Sequence, residues 1–228
     1  MKPLLIVKVG STHPHISQAL GDFEHWIMEG LGEAGLPVTV VDPRQGMALP
    51  ASSDVAGAIV TGSHSMVTDR EPWSEQTAEW LRGAVATELP VLGICYGHQL
   101  LAHALGGEVD YHPDGIELGT VDIHLTPTAQ EDRLFSGLPM RYKGQAAHRQ
   151  SVRRLPDGAE HLAGNGFEPH HAFRFGRNAW GVQFHPEFSA QATAAYVQTN
   201  TDLTARPPVA DAPEAASLLA RFAQLAAA

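Results

Sequence analysis

Apolar residues in the first half of the chain fall in short unbroken runs separated by segments with a longer, helical period. The runs PLLIVKVG (3–10), PVTVVD (37–42), GAIVTG (57–62) and LPVLGIC (89–95) are rich in aliphatic and β-branched side chains and read as buried strands. Between them, DFEHWIMEGLGEAG (22–35) carries Phe23, Trp26, Ile27 and Leu31 at helical spacing and stops at Gly35. SEQTAEWLRGAVATE (74–88) reads as a helix with Ser74 as its N-cap, and YGHQLLAHALGG (96–107) as one closed by a glycine pair. Continuously apolar strands alternating with helices imply an α/β fold, doubly wound, with a mostly parallel central sheet covered by helices on both faces. Reactive groups in such folds gather at the carboxyl ends of strands, where Cys95 lies.

Beyond residue 108 the pattern changes to strand-like pieces: ELGTVDIHLT (117–126), MRYKGQAAHR (140–149), AEHLAGN (159–165), HAFRFG (171–176) and NAWGVQFH (178–185). They predict an additional antiparallel or mixed strand region. TARPPVADAP (204–213) reads as a Pro-rich connector, and EAASLLARFAQLAAA as an amphipathic helix with Leu218, Leu219, Phe222 and Leu225 facing inward. The expected organisation is one domain over residues 1–200, with 201–228 adding the connector and a helix packed on it. No internal repeat is visible.

Composition narrows the function classes. A chain of 228 residues with 43% hydrophobic and 18% charged residues can fill a large core. The formal charge of −10, without a Lys/Arg cluster, argues against a nucleic-acid partner. No apolar stretch approaches the ~20 residues of a membrane span, and one cysteine cannot form an internal disulfide, so a cytoplasmic location is expected. Thirteen histidines raise the question of metal, but neither H-E-x-x-H nor a Cys/His ligand cluster appears, and no cofactor is expected.

Three short segments carry candidate chemistry. Gly93-Ile94-Cys95-Tyr96-Gly97 has the G-x-nucleophile-x-G pattern of an elbow that presents a thiol at a helix N-terminus, where the thiolate is favoured. GVQFHPEF (181–188) sets His185 and Glu187 on the same face of an extended segment, a base and its orienting carboxylate. VTGSHS (60–65) ends an apolar strand in a Gly-Ser turn whose backbone N–H can complement that of Tyr96 around an oxyanion. The long polar loop SHSMVTDREPW (63–73) beside it reads equally as a lid or as a connector.

Together GICYGHQ, VQFHPEF and the strand-end TGS resemble the class I (triad-type) glutamine amidotransferase family, over roughly residues 1–200, and are most similar to free-standing proteins like the glutaminase domain of GMP synthetase. The resemblance implies a flavodoxin-like fold, Cys95 as nucleophile, His185 as general base and acid, Glu187 as its orienter, Gly62 and Tyr96 as oxyanion donors, and Gln99 beside the glutamyl group. It implies a γ-glutamyl thioester on Cys95, with glutamine or another γ-glutamyl small molecule as substrate and a separate synthetase subunit receiving the ammonia. A free-standing γ-glutamyl amide or peptide hydrolase is the alternative, and a non-catalytic thiol sensor or binding protein a second. The chain departs from the family's usual Gly-Gly-Pro at Gly62-Ser63-His64. It also departs from the usual His-Gly-Asp at His148-Arg149-Gln150-Ser151, the expected substrate-binding loop.

Overall fold

The computed structural model describes residues 1–32, 35–201 and 206–228. In chain order the first half comprises β1 (Leu4–Val7), α1 (Pro14–Leu20), α2 (Phe23–Gly30), β2 (Val38–Val41), β3 (Gly57–Val60), α3 (Pro72–Ala86), β4 (Val91–Ile94) and α4 (Tyr96–Ala104). The second comprises β5 (Glu108–Tyr111), β6 (Glu117–Leu125), β7 (Arg141–His148), β8 (Gln150–Arg154), β9 (Glu160–Gly164), β10 (Ala172–Phe175), β11 (Ala179–Val182), α5 (Ala190–Thr199) and α6 (Pro213–Ala227).

Nine strands form one sheet in the order β2-β1-β3-β4-β11-β10-β9-β6-β7. From β2 to β11 the neighbours pair in parallel. From β11 to β7 they pair antiparallel. Of the antiparallel or mixed extension expected, the structure has the antiparallel form, with β11 joining it to the parallel half. β5 and β8 form a separate antiparallel pair.

Alternation along β1 divides the core. Leu4 and Ile6 point to one face, where Ile59, Leu92, Trp180 and the α6 residues Leu218, Leu219 and Phe222 pack. Leu5 and Val7 point to the other, against Val60, Val91, Leu81 of α3 and Leu100 and Leu101 of α4. Both faces of these strands are dry, which is why their sequences show no alternation.

Several boundaries differ from the pattern-based reading. The third helix begins at Pro72, where a missing N–H costs nothing in the first turn, rather than after Ser74. Ser74 is instead buried, its hydroxyl 2.6 Å from the Tyr96 hydroxyl. α2 ends at Gly30, and the predicted helix runs into residues 33–34, outside the described residues. The connector read at 204–213 likewise begins outside them. Strands β5 and β8 and helices α1 and α5 are additions. α6 buries Leu218, Leu219 and Phe222 as its spacing requires, with Leu225 half-buried.

The close approach of α4 to the sheet positions the site. A Cβ on Gly93 would fall on the Gly97 carbonyl, and one on Gly97 on the Val60 carbonyl of β3. Backbone cannot yield as a flexible side chain can. We expect Gly97→Ala to destabilise the fold by about 1–3 kcal/mol, the usual cost of overpacking, read as a lowered urea midpoint.

Candidate active site

The site begins with a backbone constraint. Cys95 follows β4 directly and stands at the N-terminus of α4 with φ 51° and ψ −100°, a conformation L-residues rarely hold. Its N–H donates to the Val182 carbonyl of β11 at 2.8 Å, so the strand ladder continues to the last residue before the turn. The chain then reverses into α4, whose first N–H groups have no intrahelical acceptor. The thiol sits 3.9 Å from the Ala147 carbonyl of β7.

His185 arrives from β11, the strand beside β4 in the sheet. Its N–H donates to the Gln145 carbonyl at 2.7 Å, and its ring stacks on Phe188 with centroids 4.0 Å apart. Nδ1 donates to Glu187 Oε1 at 2.7 Å, since a carboxylate only accepts, which leaves Nε2 for the thiol. Burial alone would push this imidazole down. The Glu187 carboxylate and Cys95 outweigh burial and raise it well above the usual histidine value. Gly62, at the end of β3, backs the ring: a Cβ there would lie 3.0 Å from His185 Cε1.

A pocket of about 360 Å³ opens above Cys95. Of the residues expected at the site, Cys95, Tyr96, Gln99, His148, Arg149 and Gln150 line it, while Ser151 is fully buried and stands outside the lining. His185 and Glu187 lie beneath the wall rather than on it. Gln99 uses its amide internally, donating to the Gln150 carbonyl at 2.7 Å and to Gln183 Oε1 at 2.9 Å. The Gln150 side chain is likewise engaged, accepting from the Val67 N–H at 3.1 Å and donating to Thr68 Oγ1 at 2.6 Å. This ties the 63–73 loop to the start of β8.

The His148 side chain points away from the pocket into a buried polar cluster. Its Nε2 lies 2.9 Å from Glu117 Oε2, and its Nδ1 3.0 Å from the Gln150 carbonyl. His171 Nε2 reaches the same carboxylate oxygen at 3.2 Å, and Asn165 donates to Oε1 at 2.8 Å. Burial opposes the Glu117 charge, but the hydrogen bonds from His148 and His171 hold its carboxyl far below the usual carboxylate range. So His148 fixes the loop.

Pattern reading missed residues that complete the pocket. His13 and Tyr196 line it, and His64 stands there within a turn already noted for its backbone. The Tyr196 hydroxyl bonds Thr12 Oγ1 at 2.8 Å and His64 Nε2 at 3.1 Å, and the rings of His13 and His64 lie 4.4 Å apart. The position of His13 just beyond β1, at a strand's carboxyl end, was a usable signal. Tyr196 gave none, because helix α5 was not apparent. Among the described residues no group of three or more His, Cys, Asp or Glu could hold a metal ion, and no helix is long and apolar enough to cross a membrane.

Fold and site define an α/β protein of the strand-elbow-helix type, with a cysteine on the elbow and a histidine–carboxylate pair on the segment that follows the adjoining strand. Residues 16–201 match the family described as class-I glutamine amidotransferase, and the chain belongs to that family. It is 42% identical over 136 residues to a glutamine-hydrolyzing GMP synthase of Porphyromonas gingivalis, covering 59% of this chain and 25% of that protein. The chain thus corresponds to a quarter of that relative's length. One subunit of the glutamine-hydrolyzing GMP synthase of Methanococcus maripaludis is 31% identical over 171 residues, covering 74% of this chain and 84% of the relative. A crystal structure of a glutamine amidotransferase from Methylobacillus flagellatus superposes with a TM-score of 0.76 at 25% identity, covering 100% of this chain and 93% of the other.

The buried cluster gives the fold an acid-sensitive element. Because the folded-state pKa of Glu117 lies below its ordinary value of 4.5, its stabilising contribution is present above that pH and is lost as pH falls toward the folded value. We expect Glu117→Gln to be less stable than wild type at pH 7 and the gap to shrink on acidification below about pH 4.5. Denaturant midpoints across this range measure it.

Proposed function

We propose that this protein hydrolyses the side-chain amide of glutamine through Cys95 and releases ammonia for a separate synthetase. The observation that carries the proposal is the 2.7 Å bond between His185 Nδ1 and Glu187 Oε1 behind a thiol held on a positive-φ turn. Membership of the class-I family and the likeness to a separate GMP synthase subunit support it. In this reading residues 1–200 form the amidotransferase domain and α6 is packed on it.

The Cys95 thiolate attacks the γ-carbonyl carbon and forms the C–S bond. Charge on the carbonyl oxygen is met by the N–H groups of Gly62 and Tyr96, each worth on the order of 2.7–4 kcal/mol in the barrier. His185 passes its Nε2 proton to the leaving nitrogen, the C–N bond breaks, and a γ-glutamyl thioester remains. Water, deprotonated by His185, attacks the thioester and releases glutamate, returning the proton to the sulfur–imidazole pair. Glu187 keeps Nδ1 protonated and stabilises the imidazolium without taking the proton. His148, through Gln150 and Gln99, shapes the wall that receives the amino-acid end, and Arg149 offers a cation for its carboxylate.

A diazo-ketone analogue of glutamine is expected to add to Cys95, detected by mass spectrometry. Absence of the adduct, under conditions that label a control glutaminase, would reject the reading. Cys95→Ser and His185→Ala are expected to lower kcat by roughly 10⁴-fold or more, and Glu187→Gln to retain at least about 10-fold more activity than either. Steady-state kinetics on folded variants decide this, and equal losses would show that Glu187 does more than orient. Arg149→Ala is expected to lower kcat/KM by about 10-fold, the scale of one charge-assisted contact.

A further inference from the structure

The pocket has a flank that hydrolysis of glutamine alone leaves without work. A leaving nitrogen takes its proton from His185, so the amine departs on the imidazole's side. On that side the structure is a continuous set of rings. Phe188 stacks on His185 at 4.0 Å, and Tyr196 lies 5.0 Å from Phe188. Phe23 lies 6.2 Å from His185 and 6.4 Å from His64. His13 closes the group, 4.4 Å from His64 and 5.4 Å from Tyr196. Of these rings, His13, His64 and Tyr196 border the pocket that contains Cys95. Of the residues expected to hold the glutamyl group, Gln99 lies on α4 and His148, Arg149 and Gln150 line the pocket from the β7–β8 turn, on elements other than those that carry these rings, while Ser151 stands outside the lining.

We propose that His13, His64 and Tyr196 form a leaving-group subsite that accepts γ-glutamyl amides whose amine carries an aromatic ring; this rests on γ-glutamyl hydrolysis at Cys95. The flank is built to hold a shape. Both Thr12 and His64 fix the Tyr196 hydroxyl, so the ring cannot swing, and Asp22 accepts from the Thr12 N–H at 2.7 Å, anchoring the segment that carries His13. Partial burial, then the neighbouring His13 and His185, lower His64, whose outer side stays exposed, and burial and His15 also lower His13. Near neutral pH both imidazoles are uncharged, and with Tyr196 they offer faces and edges to an aromatic group. Ammonia has no surface to use them. The covalent steps are unchanged: C–S forms to give the oxyanion, the His185 proton goes to the ring-bearing amine as the C–N bond breaks, and water then cleaves the thioester.

The test compares γ-glutamyl benzylamide, γ-glutamyl cyclohexylmethylamide and γ-glutamyl methylamide as substrates of the full chain. All three release primary alkylamines, so their ratio reports contact with the leaving group. The subsite predicts kcat/KM at least about 10-fold higher for the benzylamide than for the methylamide, with the cyclohexyl compound between them. It also predicts that this ratio collapses toward unity in both His13→Ala and His64→Ala. Binding of the benzylamide to Cys95→Ala, by calorimetry, reads the subsite without turnover and should be lost when His13→Ala is added. Equal kcat/KM for benzylamide and methylamide, or a ratio unmoved by both histidine variants, would overturn the subsite while leaving hydrolysis at Cys95 standing. Cleavage of none of the amides nor of glutamine, with no diazo-ketone adduct on Cys95, would overturn both.

Discussion

The whole site hangs on the contact between α4 and the two strands beneath it. Gly93 and Gly97 have no side chains, so the first turn of α4 lies on β4 and against the Val60 carbonyl of β3. That contact forces the reversal at Cys95 and holds it at φ 51°. The strain is sustained because both sides of the turn are anchored: the Cys95 N–H in the ladder to β11, and the Gln99 N–H on the Cys95 carbonyl at 3.1 Å. A thiol on an unanchored loop would relax away.

The second requirement is met by strand order. β11 lies beside β4, so the segment that follows it brings His185 and Glu187 to the end of the sheet where β4 delivers Cys95. β11 is also the last parallel strand, and from it the sheet continues antiparallel through β10, β9, β6 and β7. This change of direction lets β7 return its carboxyl end to the pocket as the wall opposite the α4 elbow. The Ala147 carbonyl and the His148–Gln150 segment stand there as a result.

Polar groups inside this frame are fixed in linked sets. Glu117 accepts from His148, His171 and Asn165 in one buried set, although His171 Nδ1 finds no partner among the described residues. On the other flank, Asp22 accepts from the N–H groups of Thr12 and Phe23 and pairs with Lys8, joining the end of β1 to the start of α2. Buried charges are costly unless paired and hydrogen-bonded, so each set holds its segment in one arrangement. The segments that carry the pocket walls are therefore tied to the rest of the fold.

The parallel half of the fold was legible in the sequence because its strands are buried on both faces, and a short, continuously apolar run bounded by turn residues fits little else in a folded chain. The elbow and the His185–Glu187 pair were legible for a similar reason: their spacing is local, with glycines that permit the close approach at the elbow and a proline that restricts the backbone between His185 and Glu187. Short or mixed elements were not. β5 exposes most of its length, β8 is short and opens on the polar Gln150 and Ser151, α5 has a weak apolar face, and the third helix starts two residues before the N-cap its sequence suggests. Only the tertiary structure decided that the His148 ring serves Glu117 rather than the pocket, that Ser151 is buried, and that His13, His64 and Tyr196 share one flank. These facts depend on which strands are neighbours, on which face each side chain falls and on how helices pack at the sheet's end, and residues so distant in sequence meet only through that packing.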